Sequence, residues 1–569
     1  MRALLLSACV FCVAGPAWAQ PLAQVEGVED AQLREALIEA IGERSATANG
    51  SSSALRQARN AASRARRLLR SQGYYAATVT PALGVDRQPL LRIETGPRFV
   101  VSSVAAQTGE DERARDTVIQ ALDLPLDSPL VAQAVIDAEA RGLRSLQEQG
   151  WPDASVGERD VVVDHASHTS QLTFRYAPGL WSTYGDIQST SPDWHAPFIA
   201  RISPLETGAP ASRDEMLTYQ RRLDALDSVR SARVSLGEVD ADGNRPVLVE
   251  LTPANRHSIE TGLSYSTSEG GGGEARWIRR NLLGSDETLT LSGNLATLNQ
   301  SLGAEVMRPH WRRFNQTLYV HTELKAEDTD AYTQDQAEIG AEITRQDGRR
   351  LYGAGVRLDW SDVTDAAGQR EVITAALDLV AGYDSRNDPL DPTSGIRGQV
   401  KVTPATTLGD CDCHYVQLEA RASTYYGLGD NLVAAARMRL GSVLGTSATA
   451  MPADQRFYAG GGGSARGFDY QSLSPLAADG TPFGGTSVVE TSFELRWRVR
   501  ERWGVVGFVD SAMASDTSQP DFSNIRSAAG IGVRYYFDFA PVRVDIATPL
   551  DRRDGEDPFQ IYFSLGQAF

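Results

Sequence analysis

The side chains with chemical capacity in this sequence are charged groups set in glycine-rich or apolar surroundings. Residues 460–470 read Gly-Gly-Gly-Gly-Ser-Ala-Arg-Gly-Phe-Asp-Tyr. Gly460, Gly461, Gly462 and Gly463 remove side-chain obstruction and permit positive φ, so the backbone can fold tightly in a confined space, and Arg466 is the one long cation it carries there. In residues 491–499, alternation sets Phe493, Leu495, Trp497 and Val499 on one face and Glu494, Arg496 and Arg498 on the other. In residues 505–510 Asp510 is the only acid, and in a strand it needs water or a cation. Such groups offer charge-assisted hydrogen bonding, with pairing of Glu494 to Arg496 or Arg498 as the plainer alternative.

Bond-making chemistry has no comparable signature. The seven histidines include no His-Glu-x-x-His, no Lys-Ser/Thr follows the glycine run, and no Gly-x-Ser-x-Gly elbow occurs. We therefore expect no enzyme, no cofactor and no metal. Cys411 and Cys413 stand in Gly-Asp-Cys-Asp-Cys-His, where a short, strained loop bridge is the first expectation and a soft metal the second.

The elements that must position these groups follow from length and pattern. A chain of 569 residues allows about three or four domains, and a net charge of -18 without a basic patch argues against a nucleic-acid partner. Residues 1–19 combine Arg2, an apolar run and Ala17-Trp18-Ala19, the pattern of a secretory signal peptide. No run of 18 apolar residues follows, so an exported chain of this kind would enter a membrane only as a closed β-barrel.

Residues 20–254 mix helix and strand with a regular period. Helix-to-strand junctions fall at Gly73, Gly150 and Ser228, 77 and 78 residues apart. Each unit reads β-α-α-β-β, with second helices over 53–72, 129–149 and 213–226, and strands that include 76–83, 153–162 and 229–236. From about residue 258 the period changes to two, in runs of about ten residues such as 351–360, 373–383, 415–425, 432–440 and 491–499, with room for about 16 strands. The predicted fold is thus three α+β repeats followed by a 16-stranded transmembrane antiparallel β-barrel.

Several stretches carry a family resemblance. The helix ending 67–75, Arg-Leu-Leu-Arg-Ser-Gln-Gly-Tyr-Tyr, resembles the junction in polypeptide-transport-associated (POTRA) domains. Residues 279–284, Arg-Arg-Asn-Leu-Leu-Gly, and 383–395, with Asp384, Arg386, Pro389, Pro392 and Gly395, are similar to turns of the barrels that carry POTRA domains. The run Ala465, Arg466, Gly467, Phe468 resembles the loop that folds back into those barrels, and the final run 559–569, ending on Phe569, looks like an outer-membrane sorting signal.

The resemblance implies domains at 1–19 (signal peptide), 20–97, 98–179 and 180–254 (POTRA 1 to 3) and 255–569 (barrel). It implies that Glu494 and Asp510 receive the loop arginine and that Phe468 packs the loop on the wall. A seam between residues 258–267 and 560–569 would open for clients, weakened by Gly566. Three repeats are similar to the translocation and assembly module branch of this superfamily. That implies a Gram-negative outer membrane, repeats in the periplasm, contact with outer-membrane lipid, unfolded outer-membrane clients including autotransporters, and a TamB-like inner-membrane-anchored partner. A two-partner-secretion pore and a structural or adhesive barrel are the rival readings.

Overall fold

A computed structural model describes residues 21–43, 50–537 and 541–565. The signal segment 1–19 and the seam residues Gly566 and Phe569 lie outside the described residues. The chain divides into two compact units, one of 1–186 with 205–218 and 235–247, the other of 187–204, 219–234 and 248–569.

The first unit opens with a β-α-α-β-β module. Its second helix, Ser51–Ser71, buries Ala54, Ala58, Ala61, Ala62, Ala65 and Leu69, a stripe of small side chains that lets the helix lie close to its neighbours while arginines occupy the wet faces. The sheet places the last strand, Pro89–Glu94, in the centre, parallel to Gln24–Glu26 and antiparallel to Thr78–Leu83. Leu37, Ile41, Leu69, Leu91 and Ile93 fill the space between helices and sheet.

The same order recurs in Val100–Gln107, helices Glu112–Leu122 and Ala132–Glu148, and the central Thr169–Ala177. The strand expected over 153–162 is broken into Ser155–Val156 and Asp160–Asp164, because the register against Thr169–Ala177 shifts by one residue between Val156, opposite Tyr176, and Asp160, opposite Thr173. A third sheet has the order Thr183–Ser189, Asn244–Pro253, Val229–Leu236, again with the last strand central.

In the second unit, sixteen strands from His257–Ser266 to Gln560–Leu565 close into a barrel, each next to its sequence neighbour. The 491–499 alternation holds, with Phe493, Leu495, Trp497 and Val499 exposed on the outer face and Glu494 and Arg496 buried inside. An apolar outer belt over a polar interior is what lipid on one side and water on the other require. Trp503, Tyr535 and Phe537 stack edge-on at the rim, with centroids 4.9 and 4.7 Å apart, as interfacial aromatics do.

Several strands are longer than the sequence suggests. The runs 351–360 and 373–383 lie within Arg350–Asp365 and Gly368–Asp384, whose extensions carry polar residues on both faces and so lose the alternation. Neighbouring strands pair along their lengths, with the ladder skipping Leu377 and Asp378 and shifting register between Arg498 and Arg500, and closure is shorter. His257 to Ser266 pair in full with Arg279 to Gly270, whereas across the seam, among the described residues, Tyr265 faces Phe563, Ser266 faces Tyr562 and the Thr267 N–H donates to the Ile561 carbonyl at 3.0 Å.

Candidate functional site

The long connection between strands Leu432–Leu444 and Ser487–Arg500 turns inward. Phe457 and Gly485 form an antiparallel bridge at its neck, and Ala459, Ala465, Phe468 and Leu473 are buried beneath it. Its backbone is tied from several sides. Gly460 N–H donates to Ser464 Oγ at 3.1 Å, Gly462 N–H to Glu269 at 2.6 Å, and Arg437 donates to the carbonyls of Gly463 and Ser464.

Arg466 is only 3% exposed, so its charge must be met by protein. Nε donates to Asp510 Oδ2 at 2.7 Å and Nη2 to Asp510 Oδ1 at 3.0 Å, a two-pronged contact, while Nη2 also reaches Glu494 Oε1 at 2.8 Å. Its backbone N–H adds a bond to Asp510 at 3.1 Å. The guanidinium carbon lies 3.5 Å from the Phe508 ring centroid, so an aromatic face covers the side not taken by oxygen.

A third acid, absent from the sequence reading, completes the shell. Asp545 accepts from Arg466 Nη1 at 3.1 Å and also pairs with Arg534. Arg496 donates to the second oxygen of Glu494 at 2.8 Å, and Ser492 Oγ to Asp510 at 2.6 Å. Three buried carboxylates therefore meet Arg466, Arg496 and Arg534, a matched set that allows charge to sit in a dry place. The signal for Asp545 was present: Val542, Val544 and Ile546 alternate with it just as Phe493 and Leu495 do with Glu494.

Two flanking residues fix the approach. Gly467 has φ 99°, and a Cβ there would stand 2.8 Å from the Ala528 Cβ, so only glycine lets the loop press on the wall. Its N–H donates to Tyr562 Oη at 3.0 Å on the last strand. Phe468 is buried, with the Arg526 guanidinium 4.9 Å over its ring. Gln560 joins three parts, donating to Asp469 at 2.6 Å and accepting from the Thr267 hydroxyl across the seam.

Residues 281–569 match the Omp85 superfamily domain, just over half of the chain. The chain belongs to the Omp85 superfamily. Within this Omp85 chain, 169 residues, 28% of its length, are 30% identical to the outer membrane protein assembly factor BamA of Nitratidesulfovibrio vulgaris, and they span 21% of that relative.

Among solved structures, BamA from Haemophilus ducreyi lacking POTRA domains 1–3 superposes with TM-score 0.69 at 19% identity over 82% of this chain and 100% of that one. CdiB from Acinetobacter baumannii gives 0.50 at 14% over 83% and 90%. Both show the fold, and the Omp85 barrel is an outer-membrane barrel of the Gram-negative kind.

Elsewhere the Omp85 chain departs from the cysteine expectation. Cys411 and Cys413 are free, buried thiols with sulfurs 3.1 Å apart. Among the described residues no group of three or more His, Cys, Asp or Glu is arranged to hold a metal ion.

The turn 281–287 is a second ordered feature. The Asn281 side chain accepts from Asp286 N–H at 3.1 Å, and Glu287 accepts from Ser285 N–H at 2.9 Å. Asp286 in turn accepts from Ser228 N–H at 2.9 Å, and burial pushes its carboxyl up to about 6.

Proposed function

We propose that this chain inserts and assembles outer-membrane proteins, autotransporters among them, in the manner of the TamA branch of the Omp85 superfamily. The observation that carries this reading is the short closure. Fifteen of the sixteen strand interfaces are paired along their strands, while among the described residues the first and last strands share the pairs at Tyr265 and Ser266 and the bonds Thr267 makes to Gln560 and Ile561. The stretch of the first strand from His257 to Ser264, which pairs with no last-strand residue among the described ones, can template a client strand, so that its backbone never meets lipid unpaired. Client folding supplies the free energy, with no nucleotide or cofactor.

In this reading the three β-α-α-β-β modules are POTRA domains at 20–97, 98–179 and 180–254. They reach into the periplasm, hold unfolded clients by strand addition and meet a TamB-like partner anchored in the inner membrane. Arg466, held by Glu494 and Asp510 with Asp545, keeps the lid loop fixed while the seam works.

The test is to lock the seam. With Cys411 and Cys413 first changed to Ser, cysteines replacing Tyr265 and Phe563 are cross-linked, and client assembly is followed in cells or proteoliposomes. The expected result is loss of assembly, restored by reduction. Full assembly with the seam locked, together with large conductance in planar bilayers, would favour the secretion-pore reading instead.

A further inference from the structure

A second concentration of guanidinium groups lies inside the barrel, and its charge balance differs from that around Arg466. Strands Gly395–Gly409, Cys413–Gly427 and Leu432–Leu444 bring Arg397, Arg421, Arg437 and Arg439 to one part of the inner wall. With Arg386 from the turn that precedes these strands, they line a cavity of about 290 Å³. The lining carries five cations and one carboxylate, Glu490, in a protein whose net charge is -18.

The arrangement is costly unless something answers it. Register sets Arg421 directly opposite Arg439, and like charges so placed destabilise a strand pair. Glu419 offsets part of this, pairing with Arg421 and accepting from Arg439 at 2.9 Å, while Glu490 is taken by Arg439 at 3.0 Å and Ser464 at 2.9 Å. Asp384 holds Arg386 at 2.8 Å. No side-chain hydrogen bond of Arg397 is present among the described residues, and Asp384, already held by Arg386, is the carboxylate that feels its charge. The lid loop forms one wall, where a Cβ on Gly463 would meet nothing within 4 Å, so open space lies there instead of packed atoms.

We propose that this cavity is an oxyanion site that takes one phosphate group, free or as part of a lipid headgroup, with Arg397 and Arg421 as its main donors. Planar guanidinium forks match phosphate oxygens two at a time, and a volume of about ten waters holds a phosphate with part of its hydration shell. Arg437, which donates to the Gly463 and Ser464 carbonyls, makes the lid loop part of the same site. The proposal stands apart from the assembly reading, since it concerns binding alone.

The experiment titrates inorganic phosphate into the full chain in detergent, in chloride buffer of constant ionic strength, by calorimetry. Saturable one-site binding is expected in the wild type. The double variant Arg397→Gln with Arg421→Gln should weaken it at least tenfold, and Arg276→Gln, away from the cavity, should leave it unchanged. Glycerol 3-phosphate binding tenfold tighter than phosphate would assign a lipid source, and equal affinity the free ion.

Lack of saturable binding in the wild type, or equal affinity in the folded double variant, overturns the proposal. Should the double variant not fold, the wild-type melting midpoint decides alone: a rise with phosphate over matched chloride supports the site, and no rise overturns it.

Discussion

At the residue scale, the lid loop depends on a single guanidinium meeting three acids. Arg466→Ala would leave Glu494, Asp510 and Asp545 short of a buried cation, and removing one member of such a set costs about 3–5 kcal/mol. The expected outcome is a clear drop in the heat or urea midpoint of the folded barrel, read by gel mobility, and an unchanged midpoint would refute the clamp. Arg466→Lys should recover only part, because an ammonium cannot hold Asp510 with two prongs and still reach Glu494 and Asp545. Asp545→Asn should act in the same direction by about 1–3 kcal/mol, since it takes a charged acceptor from both Arg466 and Arg534.

At the element scale, two close fits make separate predictions. Gly467→Ala would push a methyl against Ala528 and force a strained φ, so the loop should become sensitive to added protease. Adding Ala528→Gly should restore part of the protection, because it relieves the clash and leaves the backbone strain. The turn at Asp286 carries a pH signature. Its carboxyl titrates near 6 when folded and near 3.9 when open, so the folded form holds the proton more tightly. That stabilisation is complete below about pH 4 and is lost as pH rises to about 6, by at most about 3 kcal/mol. Exchange of the Ser228 amide should quicken over that interval, and Asp286→Asn should flatten the profile.

What the sequence made legible follows the same division of elements. Alternation placed Glu494 on the inner face, Asp510 stood out as the only acid in an apolar run, and the family resemblance joined both to the loop arginine. Alternation could also have named Asp545 and Tyr562, which obey the same parity in short strands near the chain end. The β-α-α-β-β order was readable from helical stripes and turn residues, but not the break between Ser155–Val156 and Asp160–Asp164, which depends on a one-residue shift of register against Thr169–Ala177. Strand ends beyond the lipid were hidden because both faces are wet there. The arginine-lined cavity was also hidden, since Arg397, Arg421 and Arg439 become neighbours only through register.

At the scale of the whole molecule, the loop clamp and the closure share strands. Tyr562 stands opposite Ser266 in the seam and accepts from Gly467 in the loop. Tyr562→Phe removes only the hydroxyl, so the seam pair can persist while the loop link is lost. Cross-linking between cysteines at 265 and 563 should then slow or lose yield if the link holds the last strand in place, and an unchanged rate would separate loop from closure.

Gln560 carries this further. Its amide spends its oxygen on Thr267 of the opposite edge and its nitrogen on Asp469 of the inward-folded segment. If the cylinder parts at that height, Thr267 is released, the amide is free to rotate, and Asp469 loses its donor in the same movement. One planar group thus works as a stitch through both the rim and the stopper, and any incoming chain that would replace the departing edge has to offer a polar side chain where Gln560 let go.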